Sequence, residues 1–254
     1  MGELEGKIAL VTGSSSPLGL GGACALVMAR EGADIIVNYR KSQAGAEDVA
    51  ARIRDMGQRA LVIQADVTDA EQVKNMVDKA IAEWGHIDIL VNNVGRHSRR
   101  RYTIDTMTLE QWYEALDTNL TSQILCIKAV LAGMMERGWG RIINMSTLAS
   151  QRGSRSGDIC YTASKAGVNG LTRALFHQLA PKGITINTVS PGIIDTPSTH
   201  EALSAEKIEE YLKGIPIGRL GRPEEVAEVV CFLASDRASY VTGLLISVNG
   251  GFYV

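Results

Sequence analysis

Tyr161 and Lys165 stand four residues apart in the stretch YTASK, where a helical pattern begins. Residues at this spacing lie on one face of a helix, so the two side chains can act as a pair. A free tyrosine has a pKa of about 10, which is too high for efficient proton transfer near neutrality. An ammonium group about 5 Å away, at an effective dielectric constant of about 20, favours the phenolate by roughly 3 kcal/mol. The spacing therefore predicts an acid/base tyrosine whose pKa is lowered by a lysine.

A glycine-rich segment, TGSSSPLGLGGA, follows the first predicted strand. Glycines at this place let the backbone approach a pyrophosphate, and the next helix directs its N-terminal N–H groups towards it. Ser16 as N-cap and Pro17 as first helical residue predict the helix start. Gly21 and Gly22 are expected to let this helix pack close to the sheet. The segment also fits a tight connection without a ligand, so it indicates a dinucleotide only together with other motifs.

The end of the second predicted strand, VNYRKS, indicates which dinucleotide fits. A carboxylate at this position would bind the adenosine ribose and repel a 2′-phosphate, which selects NAD. Tyr39 stands there instead, and Arg40 and Lys41 follow it. A guanidinium pairs bidentately with phosphate, so the segment favours NADP(H). The alternative is an ordinary pair of solvated charges in a loop.

The elements that must position these residues alternate along the chain as short apolar runs and longer helical patterns. The predicted strands are Lys7–Thr12, Ile35–Tyr39, Ala60–Ala65, Ile87–Asn92, Arg141–Ser146, Ile184–Val189 and Leu244–Val248. The predicted helices are Leu18–Arg30, Ala44–Met56, Ala70–Trp84, Leu109–Glu136, Tyr161–Ala180 and Glu224–Ala234. Strands with little polar alternation are typical of a parallel sheet buried on both faces. The pattern predicts an α/β fold, a Rossmann-type doubly wound parallel sheet of about seven strands with helices on both faces.

Composition narrows the class of protein further. The chain has 254 residues, a net charge of −2 and four cysteines without a C-x-x-C pair. We expect one NAD(P)-binding domain over residues 1–254, in the cytoplasm, with no nucleic-acid partner, no membrane segment and no metal site. The least regular stretch, 197–222, is a candidate substrate lid.

Together these motifs resemble those of the short-chain dehydrogenase/reductase family over essentially the whole chain. The glycine-rich turn is similar to T-G-x-x-x-G-x-G, YTASK matches Y-x-x-x-K, and the stretch NNVG at 92–95 is close to N-N-A-G. The nearest resemblance is to 3-oxoacyl-carrier-protein reductase-like and glucose dehydrogenase-like members. Pro17 departs from the pattern by replacing a glycine. It lacks an N–H group, so we expect a less close approach of the pyrophosphate but retained binding.

The resemblance implies a cofactor site along the carboxyl ends of the strands. Asp66 resembles the residue that contacts the adenine amino group. The backbone of Ile194 and the hydroxyl of Thr196 would hold the carboxamide. The residues expected to bind NADP(H) are Gly13, Ser15, Ser16, Pro17, Leu18, Gly19, Tyr39, Arg40, Lys41, Asp66, Val67, Asn93, Val94, Gly95, Tyr161, Lys165, Pro191, Gly192, Ile194 and Thr196.

The resemblance also implies reversible hydride transfer between the nicotinamide and a ketone or secondary alcohol, with Tyr161 as acid/base. Asn119 matches an asparagine that holds a water linking the lysine to solvent. The hydroxyl of Ser146 or Thr147 would orient the substrate oxygen. Adjacent strand side chains point to opposite faces, so only one hydroxyl is expected to face Tyr161. Counting three residues from Asn144 selects Thr147, although the family residue is usually serine.

Three functional interpretations remain open at this stage. The leading one is a ketone or 3-oxoacyl reductase, and the nearest rival is a sugar or polyol dehydrogenase. A non-catalytic NADP(H)-binding regulator is the third, against which the intact Tyr161, Lys165 and Asn119 argue. The expected partners are a small carbonyl or alcohol substrate and, through the long predicted helix and the apolar C-terminus, further copies in a homotetramer. The four arginines at 96, 99, 100 and 101 fit a solvated loop or subunit contact, which we favour, or anionic-substrate recognition.

Overall fold

Seven parallel strands form one sheet in the order β3-β2-β1-β4-β5-β6-β7 in the computed structural model, which describes residues 2–97, 102–153 and 158–253. The strands are β1 (Ile8–Val11), β2 (Asp34–Tyr39), β3 (Ala60–Gln64), β4 (Ile89–Asn92), β5 (Gly140–Met145), β6 (Ile184–Pro191) and β7 (Leu245–Val248). Every residue of β1, β4, β5 and β6 is buried, because helices cover both faces of the sheet. The predicted Rossmann-type doubly wound sheet is confirmed.

Ten α-helices within the described residues connect and cover these strands. They are α1 (Leu20–Arg30), α2 (Gln43–Asp55), α3 (Ala70–Trp84), α4 (Leu109–Leu116), α5 (Ser122–Arg137), α6 (Ala149–Arg152), α7 (Ile159–Leu179), α8 (Pro197–Ala202), α9 (Ala205–Leu212) and α10 (Pro223–Ala234). One apolar core joins the sheet to α1, α2 and α10, and a second joins it to α3, α5 and α7. None of the helices within the described ranges is long and apolar enough to cross a membrane.

Two predicted helices differ from the structure in ways that affect the site. Helix α1 begins at Leu20 with Gly19 as N-cap, not at Ser16 and Pro17. The reason is a turn in which the Gly19 N–H donates to the Ser16 carbonyl at 3.0 Å, with Pro17 at the second position that proline favours. The predicted helix Leu109–Glu136 is divided into α4 and α5 by a π-helical turn, Asp117–Thr121.

The stretch 197–222 is more regular than the sequence pattern predicts. It contains α8 and α9, which are capped by Thr196 and Ser204 respectively. Side-chain capping by threonine and serine explains why these two short helices form despite a weak apolar pattern. The prediction that this is the least regular part of the chain is therefore wrong.

Candidate active site

The strand order reverses direction between β1 and β4, since β2 and β3 lie on one side of β1 and the later strands lie on the other. Ligands of open α/β sheets bind beyond the carboxyl ends of the strands at such a switch point. The glycine-rich turn, the stretch 92–95 and the residues after β5 all follow strands that end at this edge. The topology thus brings the predicted site motifs to one side of the sheet.

The turn after β1 is held by two asparagines. The Gly13 N–H donates to Asn38 Oδ1 at 3.1 Å, and Asn93 Nδ2 donates to the carbonyls of Thr12 and Gly13 at 2.9 and 3.1 Å. Asn38 is a residue that the sequence interpretation missed, because a buried asparagine within a strand has no distinctive spacing. Asn93 was expected to bind the cofactor, and here its amide ties β4 to the turn.

The glycines of α1 pack against this turn, whereas the sequence interpretation expected them to pack against the sheet. A Cβ on Gly21 would lie 2.4 Å from Asn93 Nδ2, and one on Gly22 would lie 1.9 Å from the Ser16 carbonyl oxygen. Gly13, by contrast, has a φ of 62°, which explains why glycine is needed there. Any side chain at these positions would displace the loop.

The N-terminus of α1 is suited to an anion. Its N-cap, Gly19, makes no side-chain cap, and the first turn carries no acidic residue. The first N–H groups of an uncapped helix carry partial positive charge and attract phosphate. Leu18 is exposed beside this helix end, and it lines a cavity of about 320 Å³ together with Thr196, His200 and Pro223. A pyrophosphate therefore fits the donors that this end of the cleft presents.

The far end of the cleft carries an ion pair. Arg40 lies 3.3 Å from Asp66, with the guanidinium half-exposed. Partial burial raises the pKa of Asp66, but hydrogen bonds from Thr68 and Arg40 outweigh it, so the pKa is lowered overall. Tyr39 is half-buried between them and the core, and Val67 is buried. Arg40 is thus already paired with the side chain that the sequence interpretation assigned to adenine.

Tyr161 and Thr147 face each other at the other end of the cleft. Asp158 caps α7 by accepting the Tyr161 N–H at 3.0 Å, which places Tyr161 in the first turn of the helix. The Tyr161 phenol is buried and hydrogen-bonded to the Thr147 hydroxyl. Burial raises the pKa of Tyr161 to about 12, because loss of hydration penalises the phenolate more than Thr147 stabilises it. The prediction that this pKa is lowered is therefore wrong for the structure as described.

Lys165 explains this difference. Its side chain is only 2% exposed, and its ammonium donates to the Met145 carbonyl at 2.7 Å. Burial lowers the pKa of Lys165 to about 7, so the charge that was expected to stabilise a phenolate is itself disfavoured near neutrality. The two groups attract each other at this spacing, but burial penalises the charged form of each, and the spacing does not reveal that burial.

Gly95 gives Lys165 and Asn119 the space that they occupy. A Cβ on Gly95 would lie 2.6 Å from Lys165 Nζ and 3.2 Å from Asn119 Oδ1. Asn119 is fully buried, and its side chain accepts from the Arg96 N–H at 2.8 Å and donates to the Arg96 carbonyl at 3.3 Å. The Asn119 side chain therefore closes on the loop after β4.

Ser146 differs from Thr147 in its surroundings. Its buried hydroxyl donates to the Lys165 carbonyl at 3.0 Å and lies 3.0 Å from the Ser150 hydroxyl. These contacts join β5 to α7 and leave the Ser146 hydroxyl engaged within the protein. The two neighbouring hydroxyls thus point to different partners, in line with the alternation expected at a strand end.

The loop after β6 closes the cleft from the side of α8. The Pro191 carbonyl accepts the Leu148 N–H at 2.9 Å, which joins this loop to the residues after β5. A Cβ on Gly192 would lie 2.8 Å from the Asn249 backbone. The Ile194 carbonyl accepts from the Thr199 hydroxyl at 2.6 Å, and the Thr196 hydroxyl caps α8. The Ile194 carbonyl and the Thr196 hydroxyl, two of the groups that were expected to hold a carboxamide, therefore have partners of their own.

His97 is a site residue that the sequence interpretation missed. Its ring stacks on Tyr161 with the centroids 3.7 Å apart, and its Nδ1 lies 4.0 Å from Asp158. Loss of hydration lowers the pKa of His97; the charge of Asp158 opposes this shift and the charge of Lys165 adds to it. Its position two residues after Gly95 was the available signal. Arg96 pairs with Glu114, whereas the arginines at 99–101 lie outside the described residues.

Within the ranges that the structure describes, no group of three His, Cys, Asp or Glu side chains is arranged so that it could hold a metal ion.

Comparison with known proteins gives a consistent result. A family model described as Enoyl-(Acyl carrier protein) reductase matches residues 13–253. A 3-oxoacyl-(acyl-carrier-protein) reductase FabG of Staphylococcus aureus is 42% identical over 248 residues, 98% of each chain. The 3-oxoacyl-(acyl-carrier-protein) reductase of Synechocystis is 41% identical over 252 residues, 99% of this chain and 98% of the relative. The FabG of Pseudomonas aeruginosa is 41% identical over 251 residues, 99% of each chain.

Proposed function

Because this chain belongs to the short-chain dehydrogenase/reductase family, we propose that it is an NADP(H)-dependent reductase of ketones, and that its substrates are 3-oxoacyl thioesters. The observation that carries this proposal is the buried phenol of Tyr161, which is hydrogen-bonded to Thr147 and lies on the same helix as Lys165. With a pKa of about 12, the phenol is protonated at neutral pH, which is the form that a carbonyl oxygen requires from an acid. The thioester class is taken from the names of the relatives.

The cofactor is NADP(H), and the residues of the cleft suit it. The uncapped start of α1 is suited to the pyrophosphate, and Arg40 with Lys41 presents cations for a 2′-phosphate. Gly95 lets the Lys165 ammonium lie close to the backbone after β4, where any side chain would clash with it, and from there Lys165 would hold ribose hydroxyls. When bound, NADPH supplies the hydride that reduces the carbonyl carbon.

The residues of this chain then orient the substrate oxygen and supply its proton. Thr147 orients the oxygen next to the phenol, and Tyr161 donates the phenolic proton to it. Lys165, whose pKa lies near neutrality, can return a proton to Tyr161. Ser146 fixes β5 against α7 through the Lys165 carbonyl.

The substrate class is tested by an NADPH-consumption screen. We expect turnover with 3-oxoacyl thioesters, less with simple ketones, and none with the same thioesters lacking the 3-oxo group. The matched reverse screen uses NADP⁺ with sugars and polyols. Efficient oxidation of a sugar without reduction of any 3-oxoacyl thioester would favour a sugar dehydrogenase. Tight NADPH binding with no turnover in either screen would favour a regulator.

Cofactor preference is expected to depend on the end of β2. Tyr39→Asp combined with Arg40→Ser should move the ratio of kcat/KM for NADPH over NADH at least about tenfold towards NADH, because a carboxylate repels the 2′-phosphate and the guanidinium is lost. The measurement is steady-state kinetics with both cofactors. A wild-type protein that prefers NADH by tenfold would contradict the assignment.

The substrate-orienting hydroxyl is expected to be Thr147. Thr147→Val should lower kcat at least about tenfold, or about 1.4 kcal/mol, because the shape is kept and the hydroxyl lost. Ser146→Ala is the matched control, and it should change kcat little, since that hydroxyl bonds to the Lys165 carbonyl. The opposite pattern would transfer the role to Ser146.

Assembly into a homotetramer is proposed from two faces. Leu109 and Tyr113 of α4 are more than half exposed, and β7 is an edge strand next to the half-exposed Leu244. Exposed apolar groups and an open sheet edge are typical of subunit contacts. Light scattering should give four times the chain mass, and Leu109→Glu with Tyr113→Glu should reduce it. A stable wild-type monomer at micromolar concentration would contradict this proposal.

We also infer that residues 1–254 act as one NAD(P)-binding domain with 197–222 as its substrate lid. His200 of α8 lies 2.6 Å from Asp195 of the loop after β6, so the lid is joined to the residues that border the cleft. A cytoplasmic location fits the four cysteines, all of which are free and buried.

A further inference from the structure

The side chain of Gln123 lies buried behind Lys165 and has no place in the site described so far. Gln123 belongs to the first turn of α5, directly after the π-helical turn, and is only 1% exposed. Its Nε2 donates to the Asn119 carbonyl at 3.2 Å and to the Met145 carbonyl at 3.3 Å. Both neighbours are acceptors, so only the amide nitrogen can face them, and the orientation of the amide is fixed.

The Met145 carbonyl is shared between Gln123 and Lys165. It accepts from Lys165 Nζ at 2.7 Å as well as from Gln123 Nε2. Gln123 thus fixes the oxygen that holds the ammonium. The same amide holds the main-chain carbonyl of Asn119, whose own side chain is closed on Arg96. One glutamine amide therefore contacts both the carbonyl that holds the lysine and the carbonyl of Asn119.

The amide oxygen of Gln123 is left without a partner. Gln123 Oε1 is shielded from solvent and has no hydrogen-bond donor. Buried polar atoms of this kind are nearly always paired, and where protein groups are missing the partner is an ordered water. Because the amide nitrogen faces the two carbonyls, the amide group of Gln123 separates a water on Oε1 from the Met145 carbonyl that accepts from Lys165.

We propose that Gln123 is a positioning residue for the reaction: its amide holds the Met145 carbonyl against Lys165, and its oxygen orders a buried water behind the lysine. The inference rests on the proposed reductase function, in which Lys165 supplies protons to Tyr161. Tyr161 and Asp158 of α7 and His97 of the loop after β4 also lie in this region. The variants that test the proposal leave all three unchanged.

The first test is the water itself. A high-resolution crystal structure of the wild-type protein should show an ordered water within hydrogen-bond distance of Gln123 Oε1. Density that is empty at this atom would overturn the proposal. This readout does not depend on turnover, so it still decides the inference if the wild-type protein reduces no ketone and the proposed function fails.

The second test replaces the amide with an apolar side chain of similar length. Gln123→Met should lower kcat about tenfold and leave the substrate KM within about twofold, because the reacting groups are retained and only the support of Lys165 is lost. The alkaline limb of the kcat profile should move to lower pH, since the ammonium loses the fixed position of the carbonyl that favours its charged form.

The matched control is Asn169→Leu. Asn169 lies one turn after Lys165 on α7, its Oδ1 is also buried without a partner, and its amide donates to the Ser150 hydroxyl at 2.9 Å. This variant should keep the wild-type pH profile even where it lowers stability. Equal kinetic losses in both variants, or a Gln123→Met protein with wild-type kcat and pH profile, would show that Gln123 is structural only.

Discussion

Tyr161→Phe is expected to lower kcat for carbonyl reduction about 1000-fold, within the range that a general acid contributes. The phenolic oxygen is the only atom removed, and the aromatic ring that His97 stacks on is retained. The variant should therefore bind NADPH nearly as tightly as the wild-type protein, as measured by the change in cofactor fluorescence. The expected result is a loss confined to the chemical step.

Tyr240→Phe is the matched control for this prediction, because Tyr240 is fully exposed and lies outside the cleft. It should retain wild-type kcat and KM. If Tyr161→Phe kept more than about a tenth of wild-type kcat, the proton would come from another group, and the assignment of Tyr161 would be wrong.

Lys165→Met is expected to lower kcat at least about 100-fold and also to weaken NADPH binding, because it removes a proton source and a cation beside Gly95. In contrast to these losses, Lys165→Met should increase the stability of the folded chain. The buried amine has a pKa of about 7 in the folded chain against an ordinary value of 10.5. Below about pH 7 both the folded and the unfolded chain carry the charge, and the folded chain bears its full desolvation cost.

The pH dependence of stability follows from this shift. Between about pH 7 and 10.5 the unfolded chain binds more protons than the folded one, so the free energy of unfolding of the wild-type protein rises with pH. Lys165→Met lacks this dependence. It should be more stable than the wild-type protein below about pH 7, and the difference should shrink as the pH rises. Urea unfolding at several pH values measures it, and a variant that is less stable at low pH would contradict the buried-amine account.

The fold was predictable because its signals are local and repeated. Strands such as Ile8–Val11 and Ile184–Pro191 are buried on both faces, and they read in the sequence as apolar runs between helical patterns. The placement of Tyr161 and Lys165 one turn apart on a helix was predictable for the same reason, and both side chains are buried on α7.

The features that the sequence did not reveal depend on contacts between distant segments. Helix α1 begins later than predicted because the Ser16 carbonyl accepts the Gly19 N–H in a turn before the helix. The raised pKa of Tyr161 results from burial, and burial cannot be inferred from the sequence spacing of Tyr161 and Lys165. The different contacts of Ser146 and Thr147 depend on their partners on α7. His97 joins the site through the loop after β4, and Gln123 joins it through the first turn of α5.

The central claim is that this chain transfers hydride from NADPH to a ketone while Tyr161 supplies the proton. The most direct measurement uses NADPH carrying deuterium at both C4 positions, a short 3-oxoacyl thioester and mass spectrometry of the product. The wild-type protein should give a 3-hydroxyacyl thioester with a single deuterium on the carbinol carbon, and Tyr161→Phe should give almost none of it. Binding of the labelled cofactor without any deuterated product, or equal labelling by the wild-type protein and Tyr161→Phe, would contradict it.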